Sequence, residues 1–272
     1  MKNNRENGIF SFNVGKFDIY TLVESEREGN TSILKDADEN LIKPFIPAQG
    51  FKHSANAFLV KAGGQNILID TGTGQNGVIV NKIKSLGVTP ENVNAVLITH
   101  LHGDHFGSLQ KDGKAVFPCA KIYISQKELE YFTVTNINQG AAAALSPYKN
   151  MTVTFNPSDL DAKDKIEILP GIFPVAAYGH TPGHTIYLLE SEGSKLLIIG
   201  DLLHIAAVQF HLPSINAVYD MDGAASAGIR AKVLSFAQKN KIPVGGMHIE
   251  YPGTGTLEAY NNGESFNYIP ME

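Results

Sequence analysis

One stretch of this sequence decides how the rest is interpreted: Thr99-His100-Leu101-His102-Gly103-Asp104-His105. It begins at the end of an apolar run, Ala95 to Thr99, that predicts a short buried strand. Because residues two apart on an extended chain point the same way, His100 and His102 can hold one ion from the same side. The glycine that follows permits a sharp turn, which can bring Asp104 and His105 round to a second ion. Imidazole and carboxylate at this spacing predict a metal site suited to zinc, and also to iron, cobalt or manganese.

Three further polar residues stand near the ends of apolar runs in the second half of the chain. Asp201 and His248 each directly follow such a run, and His184 lies in the segment His180-Thr181-Pro182-Gly183-His184. Open α/β folds place ligand-binding groups just past their strands. With the first cluster, these residues make five histidines and two aspartates, which is the set needed to hold two ions with one bridging carboxylate. His180 is expected only to shape the turn before His184.

Apolar runs and helical spacing alternate along both halves of the chain. Short strands followed by a helix, twice over, predict an α/β protein with two layers of sheet stacked on each other. Residues 1–16 are expected to be a weakly ordered lead-in, and residues 17–272 a single domain. Ile166 to Leu169 is among the expected strands, and Asp222 is the expected N-cap of a long helix.

Composition and charge exclude several classes of protein. The 272 residues carry 22 basic and 27 acidic side chains, a net charge of −5, which argues against a nucleic-acid partner. No apolar run approaches the roughly 20 residues that span a bilayer, so no membrane partner is expected. A single cysteine excludes an internal disulfide. The first residues contain no apolar stretch, so the sequence as given predicts a cytoplasmic protein, or an exported one if a signal peptide was removed.

The metal-ligand pattern resembles the two-metal signature of the metallo-β-lactamase superfamily. The resemblance rests on the histidines and aspartates just described, and on Asp70 in Leu68-Ile69-Asp70-Thr71-Gly72, which matches the superfamily's early aspartate. Within the superfamily, the segments Gly200 to Phe210 and His248 to Gly255 resemble methyl parathion hydrolases, to which acyl-homoserine lactonases are related. The likeness extends from about Phe17 to Pro270.

This resemblance implies a single-domain αββα sandwich with a dinuclear centre between the inner edges of its two sheets. The implied ligands of the first ion are His100, His102 and His184. The implied ligands of the second ion are Asp104, His105 and His248, and Asp201 would bridge the two ions. Asp70 would accept a hydrogen bond from a metal-bound imidazole, as carboxylates beside ligating histidines usually do.

The implied activity is hydrolysis at a dinuclear metal centre. Two divalent ions, zinc by expectation, would share a hydroxide that attacks a carbonyl or phosphoryl centre, and Asp104 and Asp201 would hold the ions for that step. The sequence has no Gly-x-Ser-x-Gly segment that would supply a serine nucleophile instead. The apolar stretch from Ile205 to Phe210 favours an uncharged small-molecule substrate. A lactone or carboxylic ester is expected, with phosphotriester hydrolysis as a second activity.

Two further residues are expected to line the substrate pocket. His204 lies three residues after the implied bridging aspartate, where related lactonases often carry tyrosine and methyl parathion hydrolase an apolar residue. It could steady an anionic intermediate or protonate a leaving group, because the ordinary pKa of histidine is about 6.5. A pocket-wall histidine with no chemical step is the other interpretation. Phe132 matches a pocket-wall position of the resembled enzyme.

Other functions stay open at this point. A glyoxalase-II-like thioesterase shares the ligand set, although this chain shows neither a basic glutathione-binding pattern nor a helical C-terminal domain. A β-lactamase and an RNA-processing nuclease agree less well with the full ligand set and the acidic balance. A non-catalytic metal-binding module would hold the ions without the activity. The resemblance also implies a homodimer.

Overall fold

Strands and helices alternate through residues 5–272, the part of the chain that this computed structural model describes. The fifteen strands of that part are β1 (Ile9–Val14), β2 (Phe17–Glu28), β3 (Lys52–Ala62), β4 (Gln65–Ile69), β5 (Ala95–Leu97), β6 (Gln110–Lys111), β7 (Lys114–Ala115), β8 (Lys121–Ser125), β9 (Thr152–Phe155), β10 (Ile172–Ala176), β11 (Thr185–Ser191), β12 (Ser194–Ile198), β13 (Val244–Gly245), β14 (Thr254–Tyr260) and β15 (Ser265–Pro270). Its seven α-helices are α1 (Glu39–Ile42), α2 (Val78–Ser85), α3 (Gly103–Phe106), α4 (Gln126–Glu130), α5 (Gln139–Leu145), α6 (Ala206–Gln209) and α7 (Gly223–Asn240).

Two large sheets divide these strands by halves of the chain. The first sheet has the order β1-β2-β3-β4-β5-β8-β9, and the second has the order β10-β11-β12-β13-β14-β15. Strands β6 and β7 form a separate two-stranded hairpin. Among the described residues, no helix combines the length and apolarity needed to cross a bilayer.

The apolar side chains show how the layers stack. Side chains from both sheets, such as Phe58 of β3 and Leu189 of β11, share one buried cluster between them. Ile83 of α2 packs on the outer face of the first sheet, and Leu234 of α7 packs on the outer face of the second. Each sheet is therefore covered on both faces, which explains apolar strands such as Leu196-Leu197-Ile198. The predicted αββα sandwich is confirmed.

Two local expectations need correction, and a third is confirmed. Residues 9–14 of the expected lead-in form strand β1, which pairs antiparallel with β2 and buries Phe10 and Val14; residues 1–4 lie outside the described part. Residues 166–169 form no strand, because Ile166 is exposed and only a single bridge joins Leu169 to Ile172. The helix that Asp222 begins is present as predicted, since its side chain accepts a hydrogen bond from the Ala225 amide.

The strand order brings four chain segments to one edge of the sandwich. In the first sheet, β4 and β5 are parallel and end side by side, just before Asp70 and His100. In the second sheet, β12 and β13 are parallel and end before Asp201 and His248. Carboxyl ends of parallel neighbours lie at the same sheet edge, so the polar residues predicted from the sequence converge there.

Candidate metal centre

Three histidines form what we call the first group: His100, His102 and His180. The Nε2 atom of His100 lies 3.1 Å from Nδ1 of His102 and 3.2 Å from Nε2 of His180. Nδ1 of His102 and Nε2 of His180 are 2.9 Å apart. Zinc bound tetrahedrally at its usual Zn–N distance of about 2.0–2.1 Å separates its ligand nitrogens by about 3.3–3.4 Å. The three nitrogens are therefore spaced much like one face of such a site.

Asp104, His105 and His248 form the second group. Nε2 of His105 lies 3.5 Å from Oδ1 of Asp104, and Nε2 of His248 lies 3.6 Å from Oδ2 of the same carboxylate. Asp104 and His105 are brought round by α3, whose first turn begins at the glycine after His102. One carboxylate and two imidazoles are a donor set that divalent transition metals accept.

A single oxygen lies between the two groups. Oδ2 of Asp201 is 3.6 Å from His100 Nε2 and 3.5 Å from His180 Nε2. The same oxygen is 3.3 Å from His105 Nε2 and 3.1 Å from His248 Nε2. The Asp201 carboxylate thus faces both sets of ligands, as a bridging residue must.

Each group contains a histidine whose far nitrogen is held by a buried carboxylate. Asp70 lies 2.7 Å from Nδ1 of His105 and also accepts hydrogen bonds from the amide and hydroxyl of Thr99. Asp220 lies 3.0 Å from Nδ1 of His180. Partners of this kind fix the orientation of a ligating imidazole and raise its basicity. Both arrangements point the free Nε2 atoms at the centre.

Glu128 joins the two loops that supply the first group. One of its buried carboxylate oxygens accepts from the Leu101 amide at 2.8 Å, and the other accepts from the Thr181 hydroxyl and the Gly183 amide, also at 2.8 Å. Leu101 lies between His100 and His102, and Thr181 follows His180. Nothing in the sequence marked Glu128, because its role depends on contacts between distant segments.

The unpaired atoms at the centre indicate that cations belong there. Nε2 of His105 and Oδ1 of Asp201 are buried and make no hydrogen bond within the protein. Leaving such atoms without a partner costs free energy, about 1–3 kcal/mol for a neutral group and more for a charged one. Divalent ions between the two groups would satisfy these atoms together, so the residues fit a two-metal centre.

The two groups differ in their electrostatics. Burial, with charge repulsion from neighbouring histidines, holds the pKa of His100 well below its ordinary value and lowers the pKa of His102 to about 4. Burial also opposes protonation in the second group, but the carboxylates of Asp201 and Asp104 outweigh it and raise the pKa of His248 to about 9. The pKa of His105 is raised well above its ordinary value by the same carboxylates and Asp70, again against burial.

The expected place of His184 in the centre is corrected by this geometry. Nδ1 of His184 faces the carbonyl oxygen of Ala177, and its Nε2 accepts a hydrogen bond from the Asp201 amide at 3.0 Å. Both nitrogens are therefore engaged away from the groups of ligands, which contain His180 instead. His184 packs so closely on Gly200 that a Cβ there would lie 2.5 Å from its ring. It supports the Asp201 turn, and His180 is more than a turn-shaping residue.

A cavity of about 540 Å³ opens beside Asp104, Asp201 and His248. Its wall presents more apolar than polar surface, although it includes the polar side chains of Arg27 and Asn30. Two expectations about this wall are wrong. Phe132 is buried in the core behind His102, with ring centroids 6.0 Å apart, and does not line the cavity. Residues 205–210 do not line the cavity either, because Ile205, Val208 and Phe210 are buried in the protein interior.

His204 does line the cavity. Its Nε2 lies 3.5 Å from Oδ2 of Asp201, and its ring stacks on His248 with centroids 5.2 Å apart. Tyr219, an aromatic wall residue that the sequence did not reveal, also contacts the His204 ring, with centroids 5.6 Å apart. Burial lowers the pKa of His204 to about 4, which leaves the imidazole neutral near pH 7.

Comparison with known proteins identifies the family. The model of the metallo-beta-lactamase superfamily matches residues 50–239, which is most of the chain. The protein therefore belongs to the metallo-beta-lactamase superfamily, a class of metal-dependent hydrolases, and the resemblance inferred from the metal-ligand pattern is confirmed.

Individual relatives are more distant. The probable metallo-hydrolase YflN of Bacillus subtilis (strain 168) is 31% identical over 153 residues, 50% of this chain and 54% of that protein. An N-acyl homoserine lactonase of Bacillus cereus is 29% identical over 121 residues, 44% of this chain and 42% of the relative. The chain thus spans about half the length of the curated relatives it matches.

Solved structures match over nearly the whole chain. The hydrolase AbOPH of the beta lactamase superfamily is 28% identical, with a TM-score of 0.85 over 97% of this chain and 98% of that chain. AidC, described as a dizinc quorum-quenching lactonase, is 22% identical, with a TM-score of 0.84 over 97% and 98% of the two chains. At that identity the second likeness concerns the fold alone.

Proposed function

We propose that this protein is a dinuclear metal hydrolase that opens lactones or cleaves carboxylic esters. The observation that carries the proposal is the position of Asp201 Oδ2, within 3.1–3.6 Å of histidine nitrogens from both groups. A purely structural cluster would pair its polar atoms with one another, whereas here buried donor atoms remain free.

In this proposal His100, His102 and His180 hold one ion, Asp104, His105 and His248 hold the other, and Asp201 bridges them. Two divalent ions would supply an activated water at neutral pH and a Lewis acid for the oxygen that gains charge. Zinc suits these nitrogen and oxygen donors, and iron, cobalt or manganese could replace it. The superfamily relatives named as lactonases support an ester-like bond as the target.

The cavity supports a small substrate with polar groups. Arg27 and Asn30 stand on its wall, and Tyr219 offers an aromatic face next to His204. A lactone or ester carrying an amide or hydroxyl substituent would find donors there, while its acyl carbon lies beside the centre. Phosphotriester hydrolysis is the second activity we propose, because the same centre would accept a phosphoryl oxygen.

His204 is proposed to donate a hydrogen bond to the leaving oxygen as that oxygen gains charge. Its ring faces the cavity beside Asp201, and a neutral imidazole has one N–H to donate. The change His204→Leu should lower kcat/KM more for poor leaving groups than for good ones, as measured on a series of aryl esters. Equal losses across the series would mean that His204 only shapes the wall.

Initial rates of proton release would test the proposed reaction. The metal-loaded enzyme would be offered an acyl-homoserine lactone, an aryl ester, lactoylglutathione and a methyl phosphotriester, with a chelator-treated control. The expected result is a lactone or ester kcat/KM above about 10⁴ M⁻¹s⁻¹ that is lost on chelation. Leading activity on lactoylglutathione would favour a glyoxalase-II-like thioesterase instead, and bound metal without any activity would favour a non-catalytic module.

A homodimer, also proposed, would be tested by light scattering.

A further inference from the structure

A fully buried arginine lies behind the first group. Arg230, in the middle of α7, has no solvent-exposed surface. Its guanidinium donates to the backbone carbonyls of Leu202, Pro213 and Ile215, the last two at 2.7 and 3.0 Å. Its Nη2 donates to Oδ2 of Asp220 at 3.0 Å. Burying a charge is costly unless it is paired and hydrogen-bonded, and Arg230 has such partners. Its burial at this position therefore requires an explanation.

Asp220 connects Arg230 to His180 of the first group. While Oδ2 of Asp220 accepts from Arg230 and from the Ala217 amide, its Oδ1 lies 3.0 Å from Nδ1 of His180. Burial works against ionisation, but the bond to His180 and the charge of Arg230 hold the pKa of Asp220 well below its ordinary range. Because Arg230 and the Ala217 amide fix the Asp220 carboxylate from its other side, His180 is oriented with its Nε2 toward His100 and His102.

The same guanidinium reaches two other parts of the site. The Leu202 carbonyl belongs to the residue after Asp201, the carboxylate between the two groups. Pro213 and Ile215 begin the loop that continues to Tyr219 in the cavity wall. These bonds go to backbone carbonyls outside the two groups, whereas Asp220 contacts a member of the first group directly, so the main effect of Arg230 is expected at His180.

We infer that Arg230 and Asp220 are positioning residues that set the affinity of the ion held by His180. The inference rests on the proposed dinuclear function. Its mechanism is geometric: without the fork of Arg230, Asp220 loses its fixed position, and His180 can rotate out of the tight triangle that it forms with His100 and His102.

Metal titration of the chelator-stripped protein tests this inference. The variants are Asp220→Asn, which keeps the shape of the side chain, and Arg230→Lys, which keeps the charge but removes the planar fork. The control is Lys232→Gln on the same helix, where an exposed pair with Asp161 is broken. Each protein would be titrated with Zn²⁺ and Co²⁺ against a competing chelator, and the metal-free forms would be compared by circular dichroism.

The expected result is selective. Both variants should bind one of the two ions about 10–100-fold more weakly, the usual effect of losing a partner behind a metal ligand. The other ion and its Co²⁺ spectrum should match those of the unmodified protein, and Lys232→Gln should change neither. A merely structural defect would weaken both ions together.

The outcomes separate this inference from the proposed function. If the unmodified protein binds two ions and both variants keep its two affinities, the positioning role is wrong while the dinuclear centre stands. An equal loss at both ions would also overturn the positioning role. If the unmodified protein binds fewer than two ions, the proposed function itself fails.

Discussion

The two buried carboxylates that support the centre, Asp70 and Asp220, do the same work in different ways. Each faces Nδ1 of a histidine whose Nε2 points at Asp201, at 2.7 Å in His105 and at 3.0 Å in His180. Asp70 is further held by Thr99, which lies at the end of a neighbouring strand in its own sheet. Asp220 is held by a guanidinium from the outer helix layer.

The difference shows in the charge of each carboxylate. Desolvation raises the pKa of Asp70 despite the opposing effects of His105 and Thr99. Arg230 helps to keep the pKa of Asp220 low in spite of burial. The Asp70 side is built from short-range contacts within one sheet, and the Asp220 side depends on the docking of α7. Substitutions near Asp70 and substitutions near Asp220 should therefore have different effects on metal binding and stability.

Removal of one histidine from each side should have the largest effect. His105→Ala and His180→Ala should each reduce the bound metal from about two ions to about one and lower kcat/KM by more than about a hundredfold, beyond the usual effect of losing a ligand's partner. Metal analysis after gel filtration and steady-state rates check this. His184→Gln should keep both ions, because His184 lies outside the two groups. Loss of an ion in His184→Gln but not in His180→Ala would reverse our assignment.

Replacing each carboxylate should lower the free energy of unfolding by a different amount. Asp220→Asn leaves a buried arginine that cannot lose its proton, and breaking such a pair costs about 3–5 kcal/mol of unfolding free energy. Asp70→Asn should cost about 1–3 kcal/mol, because His105 can release its proton when the carboxylate is removed. Urea unfolding of the metal-free proteins measures both. Equal losses, or a larger loss for Asp70→Asn, would contradict the comparison.

The smallest expected effect is a difference in proton release. In the metal-free protein at pH 7, His248 is protonated because its pKa is about 9, as is His105, whereas His102 is neutral because its pKa is about 4. Filling the second group should therefore release about two protons, whereas His100 and His102 of the first group, whose pKa values are lowered, should contribute close to none. As pH rises through 9, the release from His248 should disappear. Calorimetry in buffers of different ionisation enthalpy measures it, and equal release from both groups would contradict the electrostatics.

The same contrast explains what the sequence could predict. Asp70 was identified by its match to the superfamily's early aspartate, and the cluster from His100 to His105 because its side chains are close along the chain. Asp220 and Arg230 carry no such local signal, since their importance comes only from contacts with His180 and Leu202. Local patterns therefore pointed to the part of the candidate site that lies at neighbouring strand ends and missed the part that tertiary packing supplies.

The choice between His180 and His184 illustrates this limit. Both residues lie in one short turn, and local spacing does not distinguish them. What decides is the direction of each ring: His184 points at the Asp201 amide, and His180 is turned by Asp220, 40 residues away along the chain. The prediction that Phe132 lines the pocket was wrong for a similar reason. Its burial behind His102 depends on how the helical segment around it packs.

A diffraction experiment on zinc-loaded crystals, collected at the zinc absorption edge, would test the proposed dinuclear centre. We expect two anomalous peaks with the carboxylate of Asp201 between them. One should lie about 2.0–2.1 Å from His100 Nε2, His102 Nδ1 and His180 Nε2, and the other should contact Asp104, His105 and His248. A single peak, or a zinc ion bound by His184 while His180 points away, would contradict this proposal.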